Sequence, residues 1–215
     1  FMQNTRGGKV FFIGVGGTIT GRTADYVIID DPFKGDDDEF TQKKNKNAVT
    51  TEQMTKLSKK KKKDFDFVFV DSPAGIEQGF RNAVAGADEV IIVTNPELSA
   101  IRDADRVVGL LDAYGKKAPK LAINRIRPDR VRRGEMIQVE EIIEALEVEL
   151  LGIIPDDQAV IISTNKGEAV IREEGSKAAK AYDNIVRRII GEDVPLLDLE
   201  EKNSFAAKLF SIFRK

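Results

Sequence analysis

The chain has 215 residues, a net charge of −2 and 33% charged residues, which suits one domain with a single core and gives no excess of positive charge for nucleic acid. It has no cysteine and no histidine, which excludes disulfides, thiol nucleophiles, Ser-His triads and the usual zinc sites from these residues. No apolar run reaches the ~18 residues that span a bilayer, and no signal peptide is visible, so we expect a cytoplasmic protein whose membrane contact is peripheral.

The first predicted strand, Lys9–Val15, leads into a glycine-rich octet, Gly16-Gly-Thr-Ile-Thr-Gly-Arg-Thr23. The octet fits the P-loop pattern G-x-x-x-x-G-[KR]-T, with arginine in place of lysine. A P-loop needs a helix directly after it, because the helix N-terminus and the loop N–H groups bind the phosphates together. A second strand, Tyr26–Asp30, follows almost at once. The candidate phosphate-binding residues, Gly16, Gly21, Arg22 and Thr23, therefore lack the helix that their pattern requires.

Residues 14–34 also resemble the Walker-B region of phage terminase large subunits, in which a glycine-rich Thr-Gly-Arg loop leads into a strand that ends in paired acids. This resemblance implies a metal-side role for Asp30 and a water-side role for Asp31. A terminase motor also needs a P-loop upstream, and this sequence has none there. The simpler interpretation, which we favour, is that the two segments only supply strands that complete a sheet.

A helix is predicted to begin at Thr50 or Thr51, because a threonine N-cap is followed by an acid in the first turn. Five lysines, Lys59–Lys63, lie near its end. Such a run is also compatible with a nucleic-acid or lipid surface. We favour a solvated helix end, because the helix C-terminus attracts cations.

The run Phe67–Val70 is apolar without alternation, which predicts a strand covered on both faces of a parallel sheet. It stops at Asp71, and Pro73 and Gly75 then favour a turn. A carboxylate at the carboxyl end of a parallel strand lies where open α/β sheets bind ligands, and in nucleotide-binding sheets it holds Mg²⁺ directly or through water. The alternative is that Asp71 only begins a turn. In either case we expect it to face solvent.

The remaining chain alternates strands with helices, which predicts an α/β fold: a P-loop NTPase-like, mostly parallel sheet with helices on both faces, in three layers. We expect one domain over residues 1–193. The predicted strands are Glu89–Thr94, Lys120–Asn124 and Leu150–Pro155, and the predicted helices are Glu77–Ala87, Ser99–Tyr114, Val139–Leu146 and Ser176–Ile190.

Residues 194–203 read as a linker, and residues 204–215 read as an amphipathic helix. Its apolar side chains recur at helical spacing and are flanked by cations, a combination that suits the interface of an anionic membrane. The alternative is a terminal helix docked on the core of the domain. The residues that we expect to contact the membrane are Phe205, Lys208, Leu209, Ile212 and Phe213.

Roughly residues 50–215 resemble the ParA/MinD family of deviant Walker A ATPases. The resemblance rests on Asp71–Arg106, Ile123–Pro128, Leu151–Asp156 and Ser163–Gly167, and it continues to the C-terminus. It implies ATP and Mg²⁺ as cofactors, with Asp71 as the catalytic and metal-positioning acid. It further implies that Asn124 contacts the adenine edge and that Arg125 shapes the base pocket. The loop that follows Pro155 and begins with Asp156 and Asp157 would lie beside the base.

The same resemblance implies an anionic membrane surface, a possible homodimer and division-site regulators of the MinC/MinE type as partners. The family's phosphate loop, Gly-Lys-Gly-Gly-Val-Gly-Lys-Thr-Thr, does not occur in this sequence. Three interpretations follow: a family ATPase or derivative with low or no hydrolysis, a non-catalytic chimeric or engineered scaffold, and a terminase-like fragment. We favour the first and expect no nucleic acid partner.

Overall fold

The protein is described by a computed structural model that covers residues 9–12, 26–29, 51–61, 66–72, 76, 78–197 and 199. Its described strands form one parallel sheet with the order β2-β3-β1-β4-β5-β6. The strands are β1 (Lys9–Phe12), β2 (Tyr26–Ile29), β3 (Phe67–Val70), β4 (Glu89–Thr94), β5 (Lys120–Ile126) and β6 (Glu149–Pro155).

Helices connect these strands and lie on both faces of the sheet. The α-helices are α1 (Thr51–Lys61), α2 (Gln78–Gly86), α3 (Leu98–Ala113), α4 (Pro128–Arg132), α5 (Val139–Leu146), α6 (Gln158–Lys166) and α7 (Lys177–Ile189), and a 3₁₀ turn spans Val170–Arg172.

Side chains that alternate along the strands build two cores. Val68, Val70 and Ile92 face one core, which they share with Leu111 of α3 and Ile142 of α5. The other face of the sheet packs on α7 through Ile91, Ala122, Leu151, Ile154, Ala178, Ala181, Ile185 and Ile189. The predicted α/β class with helices on both faces is therefore confirmed.

Both faces of β3 are covered, as predicted, but to different depths: Phe67 and Phe69 pack against the second core. Val68 and Val70 are fully buried, but Phe67 and Phe69 on the opposite face are only half-buried. Their rings stack on each other, with centroids 6.4 Å apart. Because alternate residues of a strand point to opposite faces, this strand has one fully covered face among the described residues and one partly covered face.

Two described helices, α4 and α6, were not assigned from the sequence. Helix α4 has Pro128 at its first turn, where proline's fixed φ suits a helix start. Helix α6 begins after Asp157, whose side chain accepts a hydrogen bond from the Ala159 N–H. Ile161 and Ile162 of α6 are about half exposed. Its apolar residues therefore do not form the one-sided stripe by which a surface helix is recognised in a sequence.

Candidate functional site

The carboxyl ends of the parallel strands bring the sequence-predicted residues to one edge of the sheet. Val70, just before Asp71, pairs with the described ends of β1 and β2. Further along the edge Thr94 pairs with Ile123, and Ile126 pairs with Pro155. Asp71, Asn124 and Asp156 therefore share the edge at which open α/β sheets bind ligands.

Asp71 is buried, with 6% of its surface exposed. The expectation that this carboxylate faces solvent is therefore wrong. It directly follows the buried Val70 at a strand inside the sheet, between β1 and β2, so neighbouring chain shields it. A buried carboxylate is costly unless it is paired, hydrogen-bonded or bound to a metal, so the position of Asp71 is compatible with a cation site at this edge.

Asn124 and Arg125 form a compact turn at the end of β5. The Asn124 Oδ1 atom accepts a hydrogen bond from the Arg125 N–H at 3.0 Å. Arg125 has φ of 60°, which lies in the left-handed region that non-glycine residues adopt at a cost. The Asn124 NH₂ group makes none of the hydrogen bonds given for this turn, so it is the part of the amide that could donate to a ligand. Adenine offers ring nitrogens that accept such hydrogen bonds.

Asp156 joins the ends of β5 and β6. Its backbone N–H donates to the Ile126 carbonyl at 2.9 Å. Its carboxylate lies 4.0 Å from Arg125 Nε and 3.8 Å from Arg127 Nε. These ion pairs are exposed and individually weak. Together with the backbone hydrogen bond they join the end of β5 to the loop that the family resemblance places beside the base.

Asp157 has a structural role that the sequence reasoning missed. Its Oδ1 accepts from the Ala159 N–H at 2.9 Å, and its Oδ2 accepts from the Ser176 hydroxyl at 2.8 Å and the Ala178 N–H at 3.2 Å. Burial raises the pKa of the Asp157 carboxyl, whereas these hydrogen bonds lower it. The hydrogen bonds together outweigh burial, so the pKa of Asp157 lies below its ordinary value. One carboxylate thus fixes the starts of both α6 and α7.

The sequence also did not predict an open cavity of about 540 Å³ at the end of β4. Ile76, Thr94 and Asn95 line it on the sheet side, and Asp103 and Arg106 of α3 line it on the helix side. The Asp103 and Arg106 side chains form an exposed ion pair of 3.5 Å. The cavity is large enough for a small ligand and lies at the ligand-binding edge of the sheet.

Several predicted site residues fall outside the described residues: Gly16, Gly21, Arg22, Thr23, Asp30, Asp31, Phe205, Lys208, Leu209, Ile212 and Phe213. Within the described ranges, acidic residues form no group of three or more that could hold a metal ion. Asp71 is therefore the metal-site candidate that can be placed. Within the same ranges no helix is long and apolar enough to cross a bilayer.

Comparisons with known proteins add to this geometry. The family described as "4Fe-4S iron sulfur cluster binding proteins, NifH/frxC family" matches residues 47–213. This chain has no cysteine, so it lacks the thiolates that usually hold such a cluster. Two curated relatives are septum site-determining proteins MinD. The protein from Synechocystis sp. is 53% identical over 158 residues, and the protein from Bacillus subtilis is 47% identical over 174 residues.

The first match covers 73% of this chain and 59% of the relative, and the second covers 80% and 65%. The chain thus spans about three fifths to two thirds of the length of these relatives. These matches give no support to the chimeric or engineered interpretation.

Solved structures are similar as well. MinD cell division protein from Aquifex aeolicus aligns with a TM-score of 0.71 at 31% identity, over 88% of this chain and 100% of that chain. A MinC:MinD cell division protein complex from the same organism aligns with a TM-score of 0.66 at 42% identity, over 71% of this chain and 63% of that chain. A septum site-determining protein MinD complexed with Mg-ADP, from Pyrococcus horikoshii, aligns with a TM-score of 0.58 at 27% identity, over 65% of this chain and 56% of that chain.

Proposed function

We propose that this chain acts in placing the cell-division site and that it binds an adenine nucleotide with Mg²⁺. The chain belongs to the MinD family of septum site-determining proteins. The observation that carries the proposal is that Asp71, Asn124 and the Pro155–Asp156 loop lie along the same carboxyl edge of a parallel sheet. The structure of a relative complexed with Mg-ADP supports the choice of nucleotide and metal.

The described residues fit such a ligand at two points. Mg²⁺ prefers carboxylate oxygens and keeps several waters, so one protein carboxylate beside a nucleotide suffices. The buried Asp71 supplies that carboxylate. The Asn124 amide and the loop held by Asp156 fit the base. When bound, Mg²⁺ neutralises phosphate charge.

Hydrolysis is proposed to be low or absent. Phosphoryl transfer depends on positioning and charge neutralisation, which a P-loop supplies through its N–H groups and its lysine. In this sequence the candidate loop Gly16–Thr23 carries Arg22 in place of that lysine. Arginine is a planar, bidentate donor and does not reproduce the contact of a lysine ammonium. The function therefore rests on nucleotide binding more than on turnover.

The proposed partners are an anionic membrane, a second copy of the chain and a regulator of the MinC/MinE type. The similarity to a MinC:MinD complex supports the regulator. The membrane contact is assigned to Phe205, Leu209, Ile212 and Phe213 with Lys208, because bulky apolar groups beside cations favour an anionic interface.

Calorimetric titration with ATP tests the nucleotide proposal. We expect saturable binding that is at least about tenfold tighter with Mg²⁺ than with a chelator, which corresponds to about 1.4 kcal/mol. The Asp71→Asn variant, which keeps the shape but removes the charge, is expected to lose this Mg²⁺ dependence and retain its circular dichroism spectrum. Absence of ATP binding with and without Mg²⁺ would contradict the proposal and favour a scaffold without nucleotide chemistry.

Removal of residues 204–215 tests the membrane proposal. We expect the truncated chain to lose co-sedimentation with vesicles that contain anionic lipid, because the short segment carries the buried apolar area. Its thermal unfolding should be unchanged, and neutral vesicles provide the control. Undiminished binding to anionic vesicles after truncation would show that another surface contacts the membrane.

A further inference from the structure

The lysine run at residues 59–63 begins in the last turn of α1, where the structure places Lys59, Lys60 and Lys61. Lys59 and Lys60 are exposed. Helix α1 leads into β3, so it runs opposite to the parallel strands, and its C-terminal end lies towards the edge at which the strands begin. We call this edge the amino edge. The lysine run therefore lies at the edge opposite the candidate nucleotide site.

A second pair of lysines lies at the same edge. Helix α3 ends at Ala113, and Lys116 and Lys117 follow it shortly before β5 begins at Lys120. The Lys116 Nζ atom donates to the Ala87 carbonyl at 2.5 Å, which joins this loop to the end of α2. Helix α1 packs on α2, and α2 also leads into a strand of the sheet. The ends of α1 and α3 thus lie on the two sides of the end of α2.

The lysines at these helix ends form what we call the amino-edge lysine surface: Lys59, Lys60, Lys61, Lys116 and Lys117. Lys120 beside them is paired with Glu89 at 3.8 Å, so this pair adds no net charge. The other described acids in this part of the edge are Asp66, Asp88 and Asp112. Five lysines against three acids leave this surface positive, although the whole chain has a net charge of −2.

The chain that follows α7 is fixed at the amino edge as well. Arg188 donates at 2.6–2.9 Å to three carbonyls, those of Leu151, Val194 and Pro195. Because Leu151 lies in the first half of β6, these bonds hold the chain near the beginning of that strand. Leu197 then packs on the core shared with α7, and Leu199 packs on the core shared with α2, α3 and α5. The C-terminal segment therefore starts on the same face of the sheet as the helices that carry the lysines.

The lysines and the start of the C-terminal segment are separated along the amino edge. Strand β3, which follows α1, and strand β6 are four strand spacings apart, or about 19 Å. Glu147 and Glu149 are exposed at the beginning of β6, and an anionic surface repels them. Among the described parts of the amino edge, the lysine side is therefore the one that such a surface attracts.

An anionic membrane fits this arrangement better than a nucleic acid does. Both present negative charge to lysines. The C-terminal segment, however, carries apolar side chains that favour a membrane interface, and it begins at the same edge and on the same face as the lysines. A membrane bound by that segment lies within reach of the lysines. Two separate contacts then hold the domain in one orientation, which a single tether does not do.

We propose that the amino-edge lysine surface contacts anionic lipid headgroups and thereby orients the domain on a membrane that the C-terminal segment binds. This inference rests on the membrane contact proposed above for residues 204–215. The lysines act as exposed point charges near the headgroups and need no built pocket. The amino edge of the sheet then lies nearer to the bilayer than the carboxyl edge.

Co-sedimentation of the full chain with vesicles tests the contact, using phosphatidylcholine vesicles with about 30% phosphatidylglycerol at about 0.1 M salt. Each cation near an anionic surface strengthens binding about fivefold, so K59E/K60E should bind at least about 10-fold more weakly than wild type. K59Q/K60Q, which adds no acid, should show a smaller loss in the same direction. K59R/K60R keeps both charges and should bind like wild type.

The matched control is R172E/K180E, which makes the same change in net charge at exposed residues of the 3₁₀ turn and of the first half of α7. It should bind within about twofold of wild type. At about 0.5 M salt the difference between K59E/K60E and wild type should disappear, because salt screens exposed charges. A loss that arose from misfolding would persist at high salt and would change the circular dichroism spectrum.

The orientation can be measured directly, because the chain has no cysteine to compete for a label. Ser99→Cys and Ala113→Cys place a dye at exposed positions near the two ends of α3, about 21 Å apart. Energy transfer to a dye on the lipid headgroups should be stronger from position 113 than from position 99. In K59E/K60E the transfer from the two positions should become more alike.

Three results would overturn the inference. The first is equal binding of K59E/K60E and R172E/K180E to anionic vesicles. If removal of residues 204–215 abolishes binding in the same experiment, the proposed membrane contact stands and only the lysine contact fails. The second is transfer that is as strong from position 99 as from position 113. The third is loss of binding to a short DNA duplex in K59E/K60E with unchanged vesicle binding, which would assign the lysines to nucleic acid.

Discussion

The two halves of the carboxyl edge are built differently. On the side of β5 and β6, Asn124 holds the N–H of the next residue, and Asp156 and Asp157 are tied to backbone groups of neighbouring elements. The loops beside the expected base are therefore held by hydrogen bonds within the protein. On the side of β3, a strand of four residues ends in one buried carboxylate, Asp71. We therefore expect base recognition and phosphate chemistry to be separable in this chain. Each prediction below tests residues on one side of the carboxyl edge.

The largest expected effect concerns hydrolysis, on the Asp71 side. A steady-state ATPase assay with lipid present should read near background, and Arg22→Ala should not change it. Loss of one preorganised donor costs about 2.7–4 kcal/mol, or 10²–10³ in rate, and the P-loop lysine and its helix are both missing from the sequence pattern. Turnover on the order of 1 per second would show that Gly16–Thr23 forms a working phosphate loop.

The next effect concerns stability on the β6 side. Asp157→Ala removes the acceptor for the N–H groups of Ala159 and Ala178 and for Ser176, so it should lower the free energy of unfolding by about 1–3 kcal/mol. Asp157→Asn is the matched control, because asparagine also accepts at a helix start, and it should cost less. Denaturant unfolding of the three chains measures both differences. Equal stability of wild type and Asp157→Ala would mean that the double cap contributes nothing.

The same residue predicts a pH dependence. Hydrogen bonds hold the pKa of Asp157 below its ordinary value, so the folded state binds this proton less readily than the unfolded state. The contribution of the ionised Asp157 carboxylate to the free energy of unfolding is therefore complete above about pH 4. It is lost as the pH falls through the lower pKa of the folded state. In Asp157→Asn this part of the acid destabilisation should be absent.

Much of the fold could be predicted from the sequence because burial patterns and caps are local signals. Helix α5 and strand β4 have the predicted limits, and α7 begins one residue after its predicted start because Ser176 is its N-cap. Less of the site could be predicted from the sequence. Arginine is not a residue type that predicts a left-handed φ, as Arg125 has, and the α7 group bonded to Asp157 lies 21 residues away. Its cap on α6 could have been found, since aspartate before an apolar run is an N-cap signal.

The smallest predicted effect concerns the base and separates the two roles of Asn124. Its Oδ1 holds the Arg125 N–H, and its NH₂ group is the part that we propose donates to the base. Asn124→Asp keeps an oxygen for the backbone hydrogen bond but replaces the donor, whereas Asn124→Ala removes both. Loss of one hydrogen bond to the base costs about 0.5–1.5 kcal/mol, so both variants should bind ATP about 2- to 10-fold more weakly by calorimetry. Only Asn124→Ala should also lose stability, because only it releases the turn at Arg125. Unchanged ATP affinity of Asn124→Asp would show that the Asn124 amide does not donate to the base, and the proposed base site would then have to lie elsewhere on this edge.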